Sequence, residues 1–356
     1  MYVFTGVFIL NMLKLNCVYF FTRSYNPCEK GIFYKKNSLY IYAVYLLFYW
    51  RGGDVLTEKT QPSVTVLIPI YNGEEHIGDC LDSLLNQSYD NYQIVVVNDG
   101  STDKTLEKLQ QYPVKILSYE ENKGISYALN YGIDHIDTDY IIRMDADDLA
   151  HYDRIRIQVN FMENNPRVFM SGCTSYSGPV HGNKWEVAFG ERRLTTFNEL
   201  RTFYLFHPYL LHPGVIFRTK SWKEKGYRYD SRFDGVEDFE LHRRIIMEEE
   251  VYLLHLHLIH VRSREGSASS VPQSVTLERL NRANRHFYQS HGVPYEGDML
   301  YLGKTMFPAT YSTSRAELKK AENFACQLLE VDYFKQRLKR DIIKPLFAYL
   351  YQIARE

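Results

Sequence analysis

The sequence predicts an α/β fold in which helices flank a mostly parallel central sheet. From residue 63 to residue 164, apolar runs of strand length alternate with amphipathic segments of helix length. This alternation is typical of crossover units, in which a helix returns the chain to the next parallel strand. The runs 63–70 (SVTVLIPI) and 92–97 (YQIVVV) are nearly continuous in apolar residues. Such strands indicate a sheet that is covered on both faces.

The individual elements follow from this periodicity. Strands are expected at residues 63–70, 92–97, 114–117 and 140–144, and helices at 74–87, 102–110, 125–133 and 154–164. Residues 168–258 mix short strands with loops, and the pattern is helical and amphipathic from residue 275 onward.

The last helix-like segment, residues 333–354, is both basic and amphipathic. Lysines and arginines such as Lys335 and Arg340 lie beside apolar residues such as Phe334 and Phe347. A helix of this kind either lies on an anionic membrane or packs on the main domain, and both interpretations stay open. Pro345 is expected to kink or break it, because proline removes a backbone donor.

The composition is that of a folded protein and gives no sign of a nucleic-acid partner. The 356 residues are 45% hydrophobic, which allows a sizeable core and excludes global disorder. The 42 basic residues balance 43 acidic ones, so the chain lacks the basic excess of a nucleic-acid-binding protein. The five cysteines are scattered without a CxxC pair, so neither a zinc site nor a disulfide framework is indicated.

Residues 1–60 form an apolar, aromatic-rich extension that ends in a polar linker. Lys14 interrupts the first apolar run, and a charge at the centre of a bilayer is costly. The second run, residues 39–50, is shorter than the roughly 20 residues that a span needs. The alternatives are therefore core-packing helices or peripheral contact with a membrane surface, with a full span less favoured. We expect a cytoplasmic protein at the inner face of the cytoplasmic membrane.

Chemically useful side chains follow three of the predicted strands. They occur in the turns Pro69-Ile70-Tyr71-Asn72, Asn98-Asp99-Gly100-Ser101 and Asp145-Ala146-Asp147-Asp148. In an open parallel sheet, ligands bind beyond the carboxyl ends of the strands. An aromatic ring can stack on a base, and a carboxylate can accept from a base N–H or a ribose hydroxyl. A carboxylate cluster holds a diphosphate only through a bridging cation, for which Mg²⁺ or Mn²⁺ is suitable. The pattern thus predicts a nucleoside diphosphate site.

Two other nucleotide-binding folds are disfavoured by the same turns. The first turn, Tyr71-Asn72-Gly73-Glu74, has no GxGxxG run that would admit the pyrophosphate of a dinucleotide. The chain also has no GxxxxGK[ST] loop, so a P-loop nucleotidase is disfavoured.

The sequence resembles glycosyltransferase family 2, the inverting enzymes of the GT-A fold, whose central sheet is Rossmann-like. It is similar in style to bacterial enzymes that build lipooligosaccharide, capsule or exopolysaccharide. A DxD triplet alone is a weak signal, but here six motifs keep the family's order and spacing over residues 64–244. The motifs are VTVLIPIYNGEEHIGDCLDSLLNQSY, IVVVNDGSTDKT, NKGISYALNYGI, YIIRMDADD, HPGVIFRTKSW and GVEDFELHRR.

The resemblance implies roles for particular residues. Tyr71 is expected to contact the uracil ring, Asp99 its N–H edge, and Asn122 to help close the base pocket. Asp147 is expected to bind the metal, Asp145 the metal or the ribose, and His212 to line the acceptor pocket. The implied catalytic pair is Glu237-Asp238, with the aspartate as general base. The nucleotide-sugar contacts are Pro69, Tyr71, Asp99, Asn122, Asp145 and Arg264.

Some positions depart from the family pattern or have a plain alternative. Leu129 stands where relatives often carry an arginine near the pyrophosphate, and Arg264 where relatives carry a histidine. Arg264 is hypothesised to hold the diphosphate as a fixed cation. Asp148 either binds the metal or caps the next helix. The histidines 255, 257 and 260 are better explained as core or surface residues than as a metal cluster, and His212-Pro213 also fits an ordinary turn.

The resemblance implies inverting transfer of a hexose or N-acetylhexosamine from a UDP-sugar to a glycan or glycolipid acceptor, with Mn²⁺ or Mg²⁺ as cofactor. An α-linked donor would give a β-linkage. The GT-A domain is expected at residues 61–270, followed by a helical region at 271–356. Two alternatives stay open: the same fold with a GDP- or dTDP-sugar, and a non-catalytic glycan-binding protein.

Overall fold

The computed structural model describes residues 61–178, 186–187, 196–262, 271–295 and 313–353. Within these ranges, nine strands join in one sheet with the order β3-β2-β1-β4-β8-β6-β9-β5, and β7 pairs with β6. The strands are β1 (Val64–Ile70), β2 (Tyr92–Asp99), β3 (Lys115–Tyr119), β4 (Tyr140–Arg143), β5 (Leu149–Ala150), β6 (Val168–Gly178), β7 (Glu186–Val187), β8 (Ile216–Arg218) and β9 (Glu250–Arg262).

Helices connect and cover these strands. They are α1 (Ile77–Leu85), α2 (Thr105–Leu109), α3 (Ile125–Asp134), α4 (Arg154–Asn164), α5 (Phe197–Phe203), α6 (Thr219–Lys225), α7 (Glu237–Glu248), α8 (Gln273–Ser290), α9 (Arg315–Leu328), α10 (Asp332–Lys335) and α11 (Arg340–Ile353). Short 3-10 turns occur at His212–Gly214 and Ser231–Phe233.

The predicted parallel sheet is confirmed by the pairing of the first four strands. β1 lies between β2 and β4 and is parallel to both, with Val64 opposite Tyr92 on one side and Tyr140 on the other. The carboxyl ends of β1, β2 and β4 therefore meet at one edge of the sheet. β8 runs antiparallel to β4 and β6, whereas β6 and β9 are parallel, so the sheet is mixed beyond β4.

The apolar core lies on both faces of this sheet. Alternate side chains of β1 and β2 point to opposite faces, as the two-residue period of a strand requires. Leu67 and Val95 contribute to one apolar cluster, whereas Ile68 and Val96 contribute to the other. The second cluster is covered by α1, whose Ile77, Leu81 and Leu84 recur at helical spacing, and by α4. The expectation of a sheet that is covered on both faces is confirmed.

The C-terminal helices share the first of these clusters. Tyr288 of α8 and Phe347 of α11 are fully buried within it. Polar contacts reinforce the junction, because the Tyr288 hydroxyl donates to the Leu205 carbonyl at 2.5 Å. The division of the chain at residue 270 stays a prediction.

Helix α7 is anchored on α8 by a buried arginine. Arg243 donates to the Ala283 carbonyl at 2.7 Å and to the side-chain oxygen of Asn284. Its guanidinium also lies over the rings of Phe239 and Phe287, with centroid distances of 4.4 and 4.1 Å. Cation–π contacts of a desolvated arginine are among the stronger ones, so α8 fixes the position of α7.

The prediction of one helix over residues 333–354 is wrong about where the helix is interrupted. Residues 333–354 form two helices, α10 and α11, and the break falls at residues 336–339. Pro345 lies inside α11, so it does not break the helix, and the alternative of a kink stays a prediction. Phe347 and Leu350 beyond the proline are buried, and their packing stabilises the helix past the missing backbone donor. The apolar face of α11 packs on the protein, as the second interpretation of this segment expected.

No helix within the described ranges is both long enough and apolar enough to cross a membrane. The N-terminal extension, residues 1–60, lies outside the described residues, so none of its three interpretations is tested.

Candidate active site

The turn after β1 is tied to the turn after β2. The Asn72 N–H donates to the Ser101 hydroxyl at 3.0 Å, and the Thr102 N–H donates to the side-chain oxygen of Asn72 at 2.8 Å. Asn72 adopts a positive φ of 49°, which asparagine tolerates better than most residues. Next to it, Tyr71 leaves half of its surface exposed, at 50%, so its ring is available to a ligand.

Asp99, at the end of β2, is hydrogen-bonded to the loop before α3. Its carboxylate accepts from the N–H groups of Lys123 at 2.7 Å and Gly124 at 3.0 Å. The side-chain amide of Asn122 donates to the Asp99 carbonyl at 3.3 Å. The two predicted nucleotide contacts, Asp99 and Asn122, are therefore neighbours. A carboxylate has about four acceptor positions, so Asp99 retains capacity for a further donor.

Gly100 makes this closure possible. Its φ is +67°, and a Cβ there would lie 2.5 Å from the Glu121 carbonyl carbon and 2.6 Å from the Asn122 nitrogen. The chain can approach this closely only at a residue without a side chain.

The structure explains the departure from the family pattern at Leu129 in α3. Leu129 is fully buried in the core, so its side chain has no access to a pyrophosphate. Asn130 instead bonds the backbone of Tyr229 in both directions, at 2.8 and 3.0 Å. This pair of bonds joins α3 to the segment that leads into α7.

Three carboxylates gather after β4. One ligand atom from each of Asp145, Asp147 and Asp148 lies within 4.8 Å of the others. Asp148 is buried; it accepts from the Arg262 N–H at 3.0 Å through Oδ1, and Oδ2 has no hydrogen bond among the described residues. Burial, and then the charges of Asp145 and Asp147, raise the pKa of Asp148 well above its ordinary value. Helix α4 is preceded by Asp153, so the capping interpretation of Asp148 is wrong.

Arg262 of β9 holds this acidic turn in place. It donates to the Asp147 carbonyl at 3.0 Å and to the Asp79 carboxylate at 2.9 Å, and it meets a ring nitrogen of His76 at 2.9 Å. From the other side, the Cys80 thiol donates to the Asp145 carbonyl at 3.3 Å. Arg264 lies outside the described residues, so its hypothesised role is not tested.

Arg143, the last residue of β4, lies beneath the acidic turn. It is 2% exposed, and its Nη2 contacts the Asp145 carboxylate at 2.6 Å. Burial lowers the pKa of Arg143, but the charge and hydrogen bond of Asp145, together with the charges of Tyr229 and Glu237, outweigh burial and the pKa is raised. Sequence reasoning missed this residue, although it lies within the YIIRMDADD motif.

The second acidic pair begins α7. The Gly235 N–H donates to the Glu237 carboxylate at 2.6 Å, and the Phe239 N–H donates to the Asp238 carboxylate at 2.7 Å. Burial, and then the charge of Asp238, raise the pKa of Glu237 to about 7. Burial also raises the pKa of Asp238. The environment thus produces proton acceptors that titrate closer to neutral pH than ordinary carboxylates.

His212 lies against this pair. Its Nε2 is 2.9 Å from the Tyr229 hydroxyl, and its Nδ1 is 3.7 Å from the nearer Glu237 oxygen. Burial, followed by the charge of Arg143, holds the pKa of His212 well below its ordinary value, so the ring is neutral. His212 is only 8% exposed. Its predicted role in the acceptor pocket stays a prediction.

The histidines of β9 do not belong to the cluster of possible metal ligands, although His260 lies opposite Leu149 in the pairing of β5 with β9. His257 pairs with the Ser175 carbonyl of the neighbouring strand at 3.1 Å, and His260 is buried. Among the described residues, the group that could hold a metal ion is the aspartate triad, and these histidines do not belong to it.

The sheet, the acidic turn after β4 and the acidic start of α7 define a glycosyltransferase of the GT-A fold. The family "Glycosyl transferase family 2" matches residues 65–224. The chain belongs to glycosyltransferase family 2.

Two curated relatives and one solved structure illustrate the similarity. The putative glycosyltransferase EpsE of Bacillus subtilis is 31% identical over 194 residues, which are 52% of this chain and 68% of the relative. The amylovoran biosynthesis glycosyltransferase AmsE of Erwinia amylovora is 33% identical over 127 residues, covering 34% and 48% of the two chains. The S. aureus TarS 1–349 structure in complex with UDP-GlcNAc is 19% identical, with a TM-score of 0.54 over 82% of this chain and 88% of that one. At this identity the structure shows the shared fold.

Proposed function

We propose that the protein transfers a hexose or N-acetylhexosamine from a UDP-sugar to a glycan or glycolipid acceptor, with inversion at the anomeric carbon. The observation that carries this proposal is the arrangement of two acidic groups around one buried arginine. The aspartate triad lies at the edge of the sheet where ligands of open α/β folds bind. Its Asp145 contacts Arg143, whose charge also acts on Glu237 and Asp238.

The aspartate triad suits a divalent cation. Carboxylate oxygens are the hard ligands that Mg²⁺ and Mn²⁺ prefer. The unpaired, buried Oδ2 of Asp148 supports the same assignment, because such an atom is costly unless a partner binds it. Asp145 and Asp147 would hold the cation, with Asp148 behind them. When bound, the cation would neutralise charge on the departing diphosphate.

Asp238 is the proposed general base. The acceptor hydroxyl attacks the anomeric carbon on the face opposite the diphosphate and passes its proton to the Asp238 carboxylate. The new C–O bond forms as the bond to the diphosphate breaks, and the nucleotide leaves with the bonding electrons. Glu237 lies beside Asp238 and is held by the Gly235 N–H. The neutral His212 next to Glu237 adds no cation that would compete for the base.

The nucleotide would bind at the ends of β1 and β2. Tyr71 offers an exposed ring for the base, and Pro69 lies two residues earlier, near the end of β1. Asp99 and Asn122 are hydrogen-bonded neighbours at the end of β2 and would complete the pocket. The fold similarity to a TarS structure that contains UDP-GlcNAc supports a UDP-sugar as the donor. A GDP- or dTDP-sugar in the same pocket, or a non-catalytic glycan-binding role, are the alternatives.

The proposed setting is the synthesis of a bacterial surface polysaccharide. The relative AmsE is named for amylovoran biosynthesis, and 48% of its length is covered, so the setting of the whole protein is inferred. A glycolipid acceptor would place the reaction at the inner face of the cytoplasmic membrane.

A donor panel tests the proposal. We expect release of UDP from one or a few UDP-sugars in the presence of Mn²⁺, and a loss of kcat of at least about 100-fold in Asp238→Asn, since general bases contribute on this scale. Asp90→Asn is the matched control, because Asp90 is an exposed carboxylate in the loop before β2.

Each outcome of this panel is informative. Equal UDP release by Asp238→Asn and the parent protein would contradict the assignment of the base. Activity with GDP- or dTDP-sugars alone would favour the first alternative. Binding of a glycan without nucleotide release from any donor would favour the non-catalytic protein.

A further inference from the structure

Arg143 has more hydrogen-bonding capacity than its surroundings use. It contacts Asp145 through Nη2, while its Nε and Nη1 atoms are buried and have no hydrogen bond within the described part of the chain. A guanidinium offers five N–H donors, and leaving buried donors unpaired is unfavourable. The arrangement of this side chain is therefore incomplete when Asp145 is its only partner.

The charge of Arg143 also acts on the proposed catalytic pair. The charge of Arg143 lowers the pKa of both Glu237 and Asp238, against the upward effect of burial, and Glu237 in turn acts on Arg143. The other cationic candidates nearby are His212 and His242, and burial lowers the pKa of both, to about 3 for His242. Both histidines are neutral at physiological pH. Among these neighbours, Arg143 is the one cation that both acidic groups share.

We propose that Arg143 is a positioning residue. It couples cation binding at Asp145 to the positioning of the Glu237 and Asp238 carboxylates. Without a divalent cation, Asp145 is paired with Arg143. When Asp145 binds the cation, the ion pair between Asp145 and Arg143 breaks. The N–H groups of Arg143 then donate to the carboxylates of Glu237 and Asp238. The inference rests on the proposed function, because it assigns the cation to Asp145 and the base to Asp238.

This arrangement has a consequence that a purely structural role would not have. Arg143 competes with the cation for Asp145, so its positive charge opposes cation binding. The same charge supports the catalytic pair. Removal of the charge should therefore change the two measured quantities in opposite directions, with tighter binding of the cation and slower turnover.

The test compares Arg143→Gln and Arg143→Lys with the parent protein. Binding of Mn²⁺ in the presence of UDP is followed by the electron paramagnetic resonance signal of free Mn²⁺, and kcat is followed by UDP release. For Arg143→Gln we expect Mn²⁺ affinity to rise by about threefold or more, because a nearby like charge is removed. We expect kcat to fall by about 100-fold, the scale for loss of one preorganised donor. Arg143→Lys keeps the charge and should restore much of kcat with near-parental Mn²⁺ affinity.

Arg218→Gln is the control for loss of a structural arginine. Arg218 lies on the adjacent strand β8 and donates to the carbonyls of Val168 and Met162. It should lower stability without separating Mn²⁺ affinity from kcat. Circular dichroism checks that each variant folds, and Arg143→Lys decides the question if Arg143→Gln does not.

Two results would overturn the inference while the proposed function stands. One is a parallel loss of Mn²⁺ affinity and kcat in Arg143→Gln, and the other is an unchanged kcat in Arg143→Gln. A parent protein that releases no UDP from any donor would overturn the proposed function itself, and the inference with it.

Discussion

At the residue scale, the site depends on a few side chains whose properties come from distant contacts. Glu237 and Asp238 are ordinary carboxylates by sequence, and an acidic start is common in helices. Burial raises both pKa values, and the charge of Asp238 adds to this effect at Glu237, whereas the charge of Asp145 adds to it at Asp238. Arg262 contacts His76 across 186 positions of sequence, so its support of the acidic turn could not be predicted from spacing. By contrast, the location of Asp145 and Asp147 at the end of β4 could be predicted, because the DxD motif directly follows an apolar strand.

The raised pKa of Glu237 gives a prediction for the pH dependence of the reaction. The acidic pair keeps a proton below a pH of about 7, where an ordinary glutamate has already lost it. The pair must be ionised to accept the proton of the acceptor, so kcat should rise as the pH increases through about 7. Rates of UDP release from pH 5.5 to 9 measure this.

The variant Glu237→Gln tests whether Glu237 causes the fall of kcat at low pH. In this variant Asp238 loses a neighbouring negative charge, so the rise of kcat with pH should occur at lower pH. A profile of the parent protein that stays flat between pH 6 and 8 would contradict the assignment, since the macroscopic value belongs to the pair.

At the element scale, the sheet edge is predictable and the mixed region is not. The ends of β1, β2 and β4 meet because these strands are parallel neighbours, and the alternation of strands and helices indicated this. Strands β6 and β9 pair in parallel, with Val168 opposite Glu250, although a long stretch of chain separates them. Their register also shifts at Cys173 and Thr174, which no local pattern signals. The mixed pattern of residues 168–258 therefore gave no order for these strands.

The turn after β2 gives a prediction that separates steric crowding from backbone strain. Gly100 and Gly226 have nearly the same positive φ, 67° and 69°, but a Cβ at Gly226 would meet nothing within 4 Å. Gly226→Ala should therefore cost about 1–2 kcal/mol, the cost of a left-handed backbone. Gly100→Ala should cost at least about 2 kcal/mol more, on the scale of overpacking, and should weaken UDP binding.

Urea denaturation and UDP calorimetry measure the two effects. Gly226→Ala should leave the UDP affinity unchanged, because the turn that ends α6 lies outside the proposed nucleotide pocket. Equal losses of stability in the two variants would show that the loop 120–122 can move away from the new side chain.

At the scale of the whole molecule, the C-terminal helices complete the core of the sheet. Phe347 of α11 packs edge-on against Phe206 at 6.0 Å between ring centroids, within the cluster that contains Leu67 of β1. The sequence indicated helices in this region but not this role, because an amphipathic basic helix fits a membrane surface equally well. Burial of its apolar face inside the protein decides between the two interpretations.

This shared core predicts one cooperative unfolding transition for the described region. Phe347→Ala should lower the free energy of unfolding by about 3–5 kcal/mol, the cost of truncating a buried phenylalanine. The loss should appear equally in circular dichroism and in tryptophan fluorescence, to which the buried Trp222 contributes. Lys344→Ala, on the exposed side of the same helix, should have little effect. A separate early transition in Phe347→Ala would mean that the C-terminal helices unfold independently.

The anchorage of α7 on α8 by Arg243 determines where hybrid enzymes can be joined. A chimera that exchanged everything after residue 270 between two homologues would separate Arg243 from Ala283 and Asn284. The acidic pair Glu237-Asp238 begins the same helix, so a foreign α8 would shift this pair relative to the aspartate triad. A junction ahead of α7 keeps Arg243 with its native partners. In recombination libraries, α7 and α8 should therefore come from the same parent.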